Sequence, residues 1–115
     1  MSDHPPIVAE ALRVHGTLYA DEREELVAHW SKLDQRLQSF AEDTITLDLH
    51  VHDRDTPDQH VVLDVTVGSY PRFVATARDR RLDHALNVVR DEIIRQLTDA
   101  KSKREPAHAK RRRVR

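Results

Sequence analysis

The feature of this 115-residue chain that most limits its fold is a change in hydrophobic period, from 3.6 residues to 2 and back. Apolar residues recur at helical spacing over residues 26–40, alternate with polar residues over residues 44–77, and return to helical spacing over residues 82–97. A helical pattern cannot serve as a strand pattern, or the reverse. The chain is therefore predicted to form a helix, a block of strands and a second helix.

The segment before the first helix is predicted to hold a flexible leader and a short strand. Residues 1–10 contain two prolines and no sustained period, whereas residues 11–16 alternate and end at a glycine. Asp21 and Glu24 then have the spacing of a capping box. The helix that follows carries one apolar stripe, in which Trp30 is interpreted as a core residue rather than a stacking platform for a base. The stripe consists of Leu26, Trp30, Leu33, Leu37 and Phe40.

The middle of the chain predicts antiparallel strands with one apolar and one polar face. Residues 44–52 and 60–67 alternate and are joined by an acidic turn, so they should form a hairpin. After a Gly-Ser-Tyr-Pro turn, residues 73–77 are predicted to add a further strand. Asp79 is the predicted cap of the second helix, which runs to about residue 103.

The resulting order, β-α-β-β-β-α, predicts an α+β fold in which two helices pack on one face of a four-stranded sheet. One domain is expected over residues 11–105. Residues 106–115 are predicted to be a disordered basic tail, because Lys110, Arg111, Arg112 and Arg113 form a block of like charge.

Several function classes have no visible machinery in the sequence. The chain has no cysteine, no glycine-rich phosphate loop and no nucleophile elbow, so we predict neither an enzyme nor a cofactor. No apolar stretch approaches the roughly 18 residues of a membrane span, and residues 1–6 lack the layout of a signal peptide. We therefore expect a cytoplasmic protein with no membrane partner.

Histidines on the polar strand face raise the alternative of a divalent metal site. His50, His52 and His60 could lie near Asp48 and Asp64. Polar side chains of this kind are also common on half-exposed antiparallel strands, and the chain has eight histidines in all. We favour a pH-responsive face and predict no bound metal.

The net charge of −1 conceals a strong polarity along the chain. Residues 1–71 hold five basic and fourteen acidic side chains, whereas residues 72–115 hold fourteen basic and six acidic ones. This asymmetry favours binding of nucleic acid by the basic half. Because aromatic residues make up only 4% of the chain, we expect recognition of structured RNA by shape and backbone, with no DNA partner.

The candidate RNA contacts lie in and after the last strand. Cations at a helix N-terminus oppose the helix dipole, so the group at residues 78–81 predicts a phosphate partner that offsets them. The basic residues at 101–104 have a structural explanation as well, because cations near a helix C-terminus stabilise it. The full set is Arg78, Arg80, Arg81, Arg90, Arg95, Lys101, Lys103, Arg104, Lys110, Arg111, Arg112 and Arg113.

Residues 74–105 resemble the ribosome hibernation-promoting factors, also called the ribosome-associated inhibitor or sigma-54-modulation family. Val74-Ala75-Thr76-Ala77-Arg78 is similar to the family's last strand. Ala85-Leu86-Asn87, Ile93, Arg95-Gln96-Leu97 and Lys103 are similar to its second helix. A looser likeness extends over residues 11–105. The length of the chain fits the short form of the family, which lacks the C-terminal dimerisation domain.

The resemblance implies a fold akin to double-stranded RNA-binding domains and a non-enzymatic function. It implies binding to the small ribosomal subunit and its 16S rRNA, in the channel that messenger and transfer RNA occupy, with translation blocked during stress or dormancy. Arg78, Arg95 and Lys103 match basic positions of the family. The sequence departs from the family at residues 81–83 and by having acids at 92 and 99.

Those departures shift the expected contacts toward Arg80, Arg81 and the tail. Three alternatives stay open: an RNA-binding protein of double-stranded type with another target, a protein-interaction module whose acidic face contacts a basic partner, and a metal-dependent enzyme. We expect the free chain to be a monomer.

Overall fold

The alternating residues of the middle segment form a mixed sheet, and the helical segments cover one of its faces. The computed structural model describes residues 7–40 and 44–104. The elements are α1 (Ile7–Ala11), β1 (Leu12–His15), α2 (Ala20–His29), α3 (Ser31–Gln38), β2 (Ile45–His52), β3 (His60–Val67), β4 (Phe73–Arg78) and α4 (Leu82–Arg104).

The four strands lie in the order β1-β2-β3-β4, with β1 parallel to β2 and the other pairs antiparallel. Because side chains alternate along a strand, the register of β2 and β3 places their apolar residues on the same face. The pairs Leu47↔Val65 and Leu49↔Leu63 have no exposed surface. The predicted α+β fold with a four-stranded sheet is confirmed.

The helices form a single layer over this apolar face. Helix α4 packs on β3 and β4, α1 lies against β1 and β2, and α3 contacts both α1 and α4. The stripe of α4 predicted from the sequence is buried, with Val89, Ile93 and Leu97 completely covered. Trp30 is also a core residue, as predicted, with 1% of its surface exposed. In the described part of the chain, no helix is both long and apolar enough to cross a membrane.

The first predicted helix is divided into α2 and α3 at Trp30, whose dihedral angles leave the helical region. The backbone N–H of Trp30 donates to Leu26 O, and its carbonyl accepts from the N–H of Asp34, so the break leaves no orphaned group at this residue. The predicted cap was also displaced. Glu22, rather than Glu24, accepts from the backbone N–H of Tyr19, and α2 begins at Ala20.

The prediction of a flexible leader is wrong for residues 7–10, which form most of α1. Val8 is buried, and its N–H donates to the Asp34 carboxylate of α3 at 2.8 Å. A five-residue helix is too short to show a hydrophobic period, so only the tertiary contact reveals it. The rest of the predicted leader, residues 1–6, and the predicted tail, residues 106–115, lie outside the described residues.

Gly16 ends β1 at a point where another strand's backbone comes very close. Its φ is +105°, and a Cβ built on it would lie 2.3 Å from the carbonyl oxygen of Val51. Residues other than glycine rarely adopt this φ, and a contact this short requires one of the two strands to move.

We expect Gly16→Ala to lower the free energy of unfolding by about 2–4 kcal/mol, from backbone strain and overpacking together. Urea denaturation measures the change. A variant as stable as the native chain would contradict the close approach of β1 and β2 at this position.

The β2–β3 loop is attached to α2 by one ion pair. Arg54 donates to both carboxylate oxygens of Glu22, and the side chains of both residues are only partly exposed. These hydrogen bonds hold the pKa of Glu22 below its usual range. Because the folded-state pKa is lowered, the stabilisation is present above the unfolded pKa and is lost as the pH falls through the folded one.

Glu22→Gln is expected to cost about 1 kcal/mol at pH 7, and this difference should vanish well below about pH 4, where glutamate is protonated. Urea denaturation across pH 3–7 measures it. Glu24→Gln is the control, since Glu24 is exposed and makes no ion pair within the described residues. A loss that persists unchanged in acid would show that charge is not its cause.

Candidate nucleic-acid interface

The predicted contact residues of α4 lie on two different flanks of the helix. One flank borders β4, where the Gln96 side chain donates to the carbonyl of Val74 at 3.0 Å. Arg95 and Lys103 line a groove of about 590 Å³ on this flank. The other flank faces α2 and α3 and carries Arg90 and Lys101. The two groups of cations therefore have different surroundings and different roles.

Arg90 and Lys101 satisfy the ends of neighbouring helices. Arg90 donates to the carbonyl of His29, the last residue of α2, at 3.3 Å. Lys101 donates to the carbonyl of Ser39, which follows α3, and its ammonium lies 5.2 Å from the centroid of the Phe40 ring. Carbonyls at helix C-termini lack intrahelical partners and attract cations. These two side chains therefore stabilise the helix layer in the free protein.

The basic side chains on the β4 flank form a surface that we call the β4–α4 edge, defined as Arg72, Arg78, Arg95 and Lys103. Strand β4 is at the edge of the sheet, and Arg72 and Arg78 stand at its two ends, about 20 Å apart along an extended backbone. Arg95 and Lys103 lie about 12 Å apart along α4. The edge thus curves around β4, from the open face of the sheet to the last helix.

All three arginines of this surface already contact an acid. Arg78 pairs with Asp58 and Arg72 with Asp64, at 3.2 and 3.4 Å. Arg95 pairs with Glu92 and Asp99 along the helix, which holds the pKa of Glu92 below its usual range. The arginine partners in these pairs are well exposed, and exposed pairs of this kind are weak. A phosphate can therefore replace the acid without a large loss of stability.

Acids near the start of α4 also offset the cations there. Arg81 contacts Asp83 in the first turn at 2.9 Å, and this arginine lowers the pKa of Asp83. The predicted cap, Asp79, accepts from the N–H of Arg81 just before the helix begins. Internal acids are thus present at the helix start, where the sequence predicted a compensating partner such as a phosphate. Arg80 and Lys103 differ, because neither is in an ion pair within residues 7–40 and 44–104.

Gln59 is a positioning residue that the sequence analysis did not identify. It is 1% exposed, and its side-chain amide donates to the carbonyls of Asp79 and Arg80 at 3.0 and 2.9 Å. Its side-chain oxygen accepts from the N–H of Asp55 at 2.9 Å. One buried side chain therefore joins the β2–β3 loop to the segment that carries the arginines before α4. In the sequence it is only a polar residue between an acidic turn and a strand.

The alternative metal site has no suitable geometry in the described part of the chain. No group of three or more His, Asp or Glu side chains there could hold a metal ion. The rings of His52 and His60 are instead stacked, with centroids 4.7 Å apart and planes 19° from parallel.

The remaining predicted contacts lie at or beyond the end of α4. Arg104 is the last residue of the helix, and the tail residues Lys110, Arg111, Arg112 and Arg113 are outside the described residues.

The sequence matches no protein-family model, and no curated protein matches it significantly. A functional assignment therefore depends on the geometry of the chain's own surfaces.

Gln59→Ala should lower the free energy of unfolding by about 2–4 kcal/mol, because it removes a buried side chain and the three partly buried hydrogen bonds that it makes. Gln35→Ala removes an exposed glutamine of α3 and should change it by no more than about 0.5 kcal/mol. Chemical denaturation compares the two. Equal stability of both variants would show that Gln59 does not hold the loop and the helix start together.

Proposed function

We propose that this chain is a ribosome hibernation factor, which binds the small ribosomal subunit and its 16S rRNA in the decoding channel. In this position it excludes messenger and transfer RNA and keeps translation silent during stress or dormancy. The function requires no catalysis and no cofactor.

One observation carries the proposal: two of the three basic residues marked by the family resemblance line one groove, and the third ends the strand beside it. Arg95 and Lys103 line the groove on the β4 flank of α4, and Arg78 ends β4. Arg78 and Lys103 are 25 residues apart in sequence, and the packing of α4 on β4 brings the helix and the strand together. Arg90 and Lys101, which have no counterpart in the resemblance, are the cations that contact helix ends instead.

The chemistry of the β4–α4 edge suits the RNA backbone. The planar guanidinium groups of Arg78 and Arg95 can each donate two parallel hydrogen bonds to a phosphate. Trp30, Phe40 and Phe73 are buried, so these three rings cannot stack on unpaired bases. The cations of the edge support recognition by shape and phosphate position.

The proposal predicts salt-sensitive co-sedimentation with small ribosomal subunits. Replacing Arg78 and Lys103 by alanine should weaken binding about tenfold or more and reduce the slope of log K against log salt by roughly 1.4–1.8, for two lost phosphate contacts. Sedimentation through a sucrose cushion at several salt concentrations measures both quantities.

Arg13→Ala with Lys32→Ala is the matched control. Arg13, like Arg78, pairs with an aspartate at 3.2 Å and is about two-thirds exposed. Lys32, like Lys103, is an exposed helical lysine. The control should bind as the native chain does. Equal binding by the two double variants, or unchanged binding when Arg78, Arg80, Arg81 and Arg95 are all alanine, would overturn the site.

Competition separates the proposal from its rivals. A duplex RNA that displaces the chain from subunits at equal concentration would favour a double-stranded RNA-binding protein with another target. Capture of a protein partner that survives nuclease treatment and is lost on replacing Glu24 and Glu25 would favour an interaction module. Binding of the chain to intact small subunits, with neither displacement by duplex RNA nor capture of a protein partner, supports the hibernation function.

A further inference from the structure

Four histidines from three strands form a continuous row on the face of the sheet opposite the helices. We call His15, His50, His52 and His60 the histidine row. His15 is paired in register with His50, and His52 with His60. Successive ring centroids are 4.5, 6.2 and 4.7 Å apart, and successive ring planes are within 19° of parallel. Arg78 follows His60 on the next strand and extends the row.

Parallel stacking decides what the row can bind. Because the stacked rings are nearly parallel, their nitrogens do not converge on one point. This agrees with the lack of a candidate metal site in the described residues. The histidines extend from β1 to β3, a distance of about 10 Å at the usual strand spacing, and Arg78 lies one strand further, on β4. A line of donors over this distance fits a linear series of anionic groups better than a single small anion.

The charged groups around the row are nearly balanced while the histidines are neutral. Arg13 with Asp48, Arg72 with Asp64, and Arg78 with Asp58 form three ion pairs on or beside this face. Asp53 of the β2–β3 loop adds one further negative charge and lies 4.0 Å from His60. The surface therefore carries −1 with neutral histidines and +3 with all four protonated. The described helices pack on the opposite face and contribute no charge to it.

We propose that the histidine row is a proton-dependent binding surface for the phosphate backbone of RNA, which adjoins the β4–α4 edge at Arg78. Histidine is the side chain that ordinarily gains charge between pH 8 and pH 5. Neighbouring imidazolium rings repel each other at these ring separations, and a line of phosphates offsets the repulsion. RNA binding and proton uptake therefore promote each other.

The position of Arg78 favours RNA over an acidic protein as the partner. Arg78 is paired in register with His60 of the row and belongs to the β4–α4 edge, so an RNA strand held at the edge can continue across the sheet. Asp48 stabilises His15 at the start of the row, because its carboxylate contacts His15 at 3.0 Å and also Arg13. These contacts hold the pKa of Asp48 below its usual range, so it remains an anion as the histidines gain protons.

The test is the affinity of the full chain for a labelled 20-nucleotide oligouridine at pH 7.5 and pH 5.5, at constant ionic strength, by fluorescence anisotropy. Uracil does not titrate in this range, so any change belongs to the protein. The native chain should bind about tenfold or more tightly at pH 5.5, because several cations are added beside the phosphates. His50→Gln with His60→Gln should reduce this rise to about threefold or less.

His29→Gln with His84→Gln is the matched control, since both histidines are exposed and lie on helices away from the row. It should keep the native rise. A native affinity that does not change with pH, or a control that loses the rise as fully as the row variant, would overturn the proposal.

Ring-proton NMR of the native chain gives a second test that needs no variant of the sheet. Oligouridine should move the midpoint of proton uptake to higher pH for the histidine row and leave His29 unchanged. Equal midpoints with and without oligouridine would also overturn the proposal. Co-sedimentation with subunits at pH 7.5 tests the hibernation function independently, because the proposal assigns RNA binding by the row to lower pH. The row variant should sediment as the native chain does at pH 7.5.

Discussion

One-sided burial of the sheet is the constraint on which the rest of the structure depends. Leu47, Leu49, Leu63 and Val65 have no exposed surface, and their alternation with polar residues gives the sheet a single apolar face. All of the described helices must therefore lie in one layer, since only that face can cover their stripes. The opposite face stays polar, and β4 stays at the edge beside the long helix. The β4–α4 edge and the histidine row are both consequences of this arrangement.

Helix α4 connects the core to the candidate interface. Its inner stripe, which includes Val89, Ile93 and Leu97, is completely covered by the sheet and its neighbours. The two flanks that remain divide its cations by function. Arg90 and Lys101 contact the ends of α2 and α3, whereas Arg95 lies beside β4 among exposed acids. The same residue type thus stabilises the fold on one flank and is available to a partner on the other.

Exposed ion pairs allow this protein to keep basic surfaces although its net charge is nearly neutral. Arg72, Arg78 and Arg95 each contact an acid, but both partners retain access to water. Such pairs are weak, in contrast to the less exposed contact between Arg54 and Glu22. The average charge of −1 therefore says little about what the chain binds. The local arrangement of acids and bases is more informative.

Hydrophobic period predicts the fold class, the sheet strands, the polarity of the sheet faces and the burial of Trp30, because it reports which side of an element is buried. It does not reveal α1, whose five residues are too few to show a period, or the break at Trp30. The cations that come to lie on each flank of α4 depend on how the helix is rotated against β4, which is a property of the packed fold. The tertiary structure also decided the role of Gln59 and the stacking of the histidine row, since hydrogen bonds and strand register join residues that are distant in the chain.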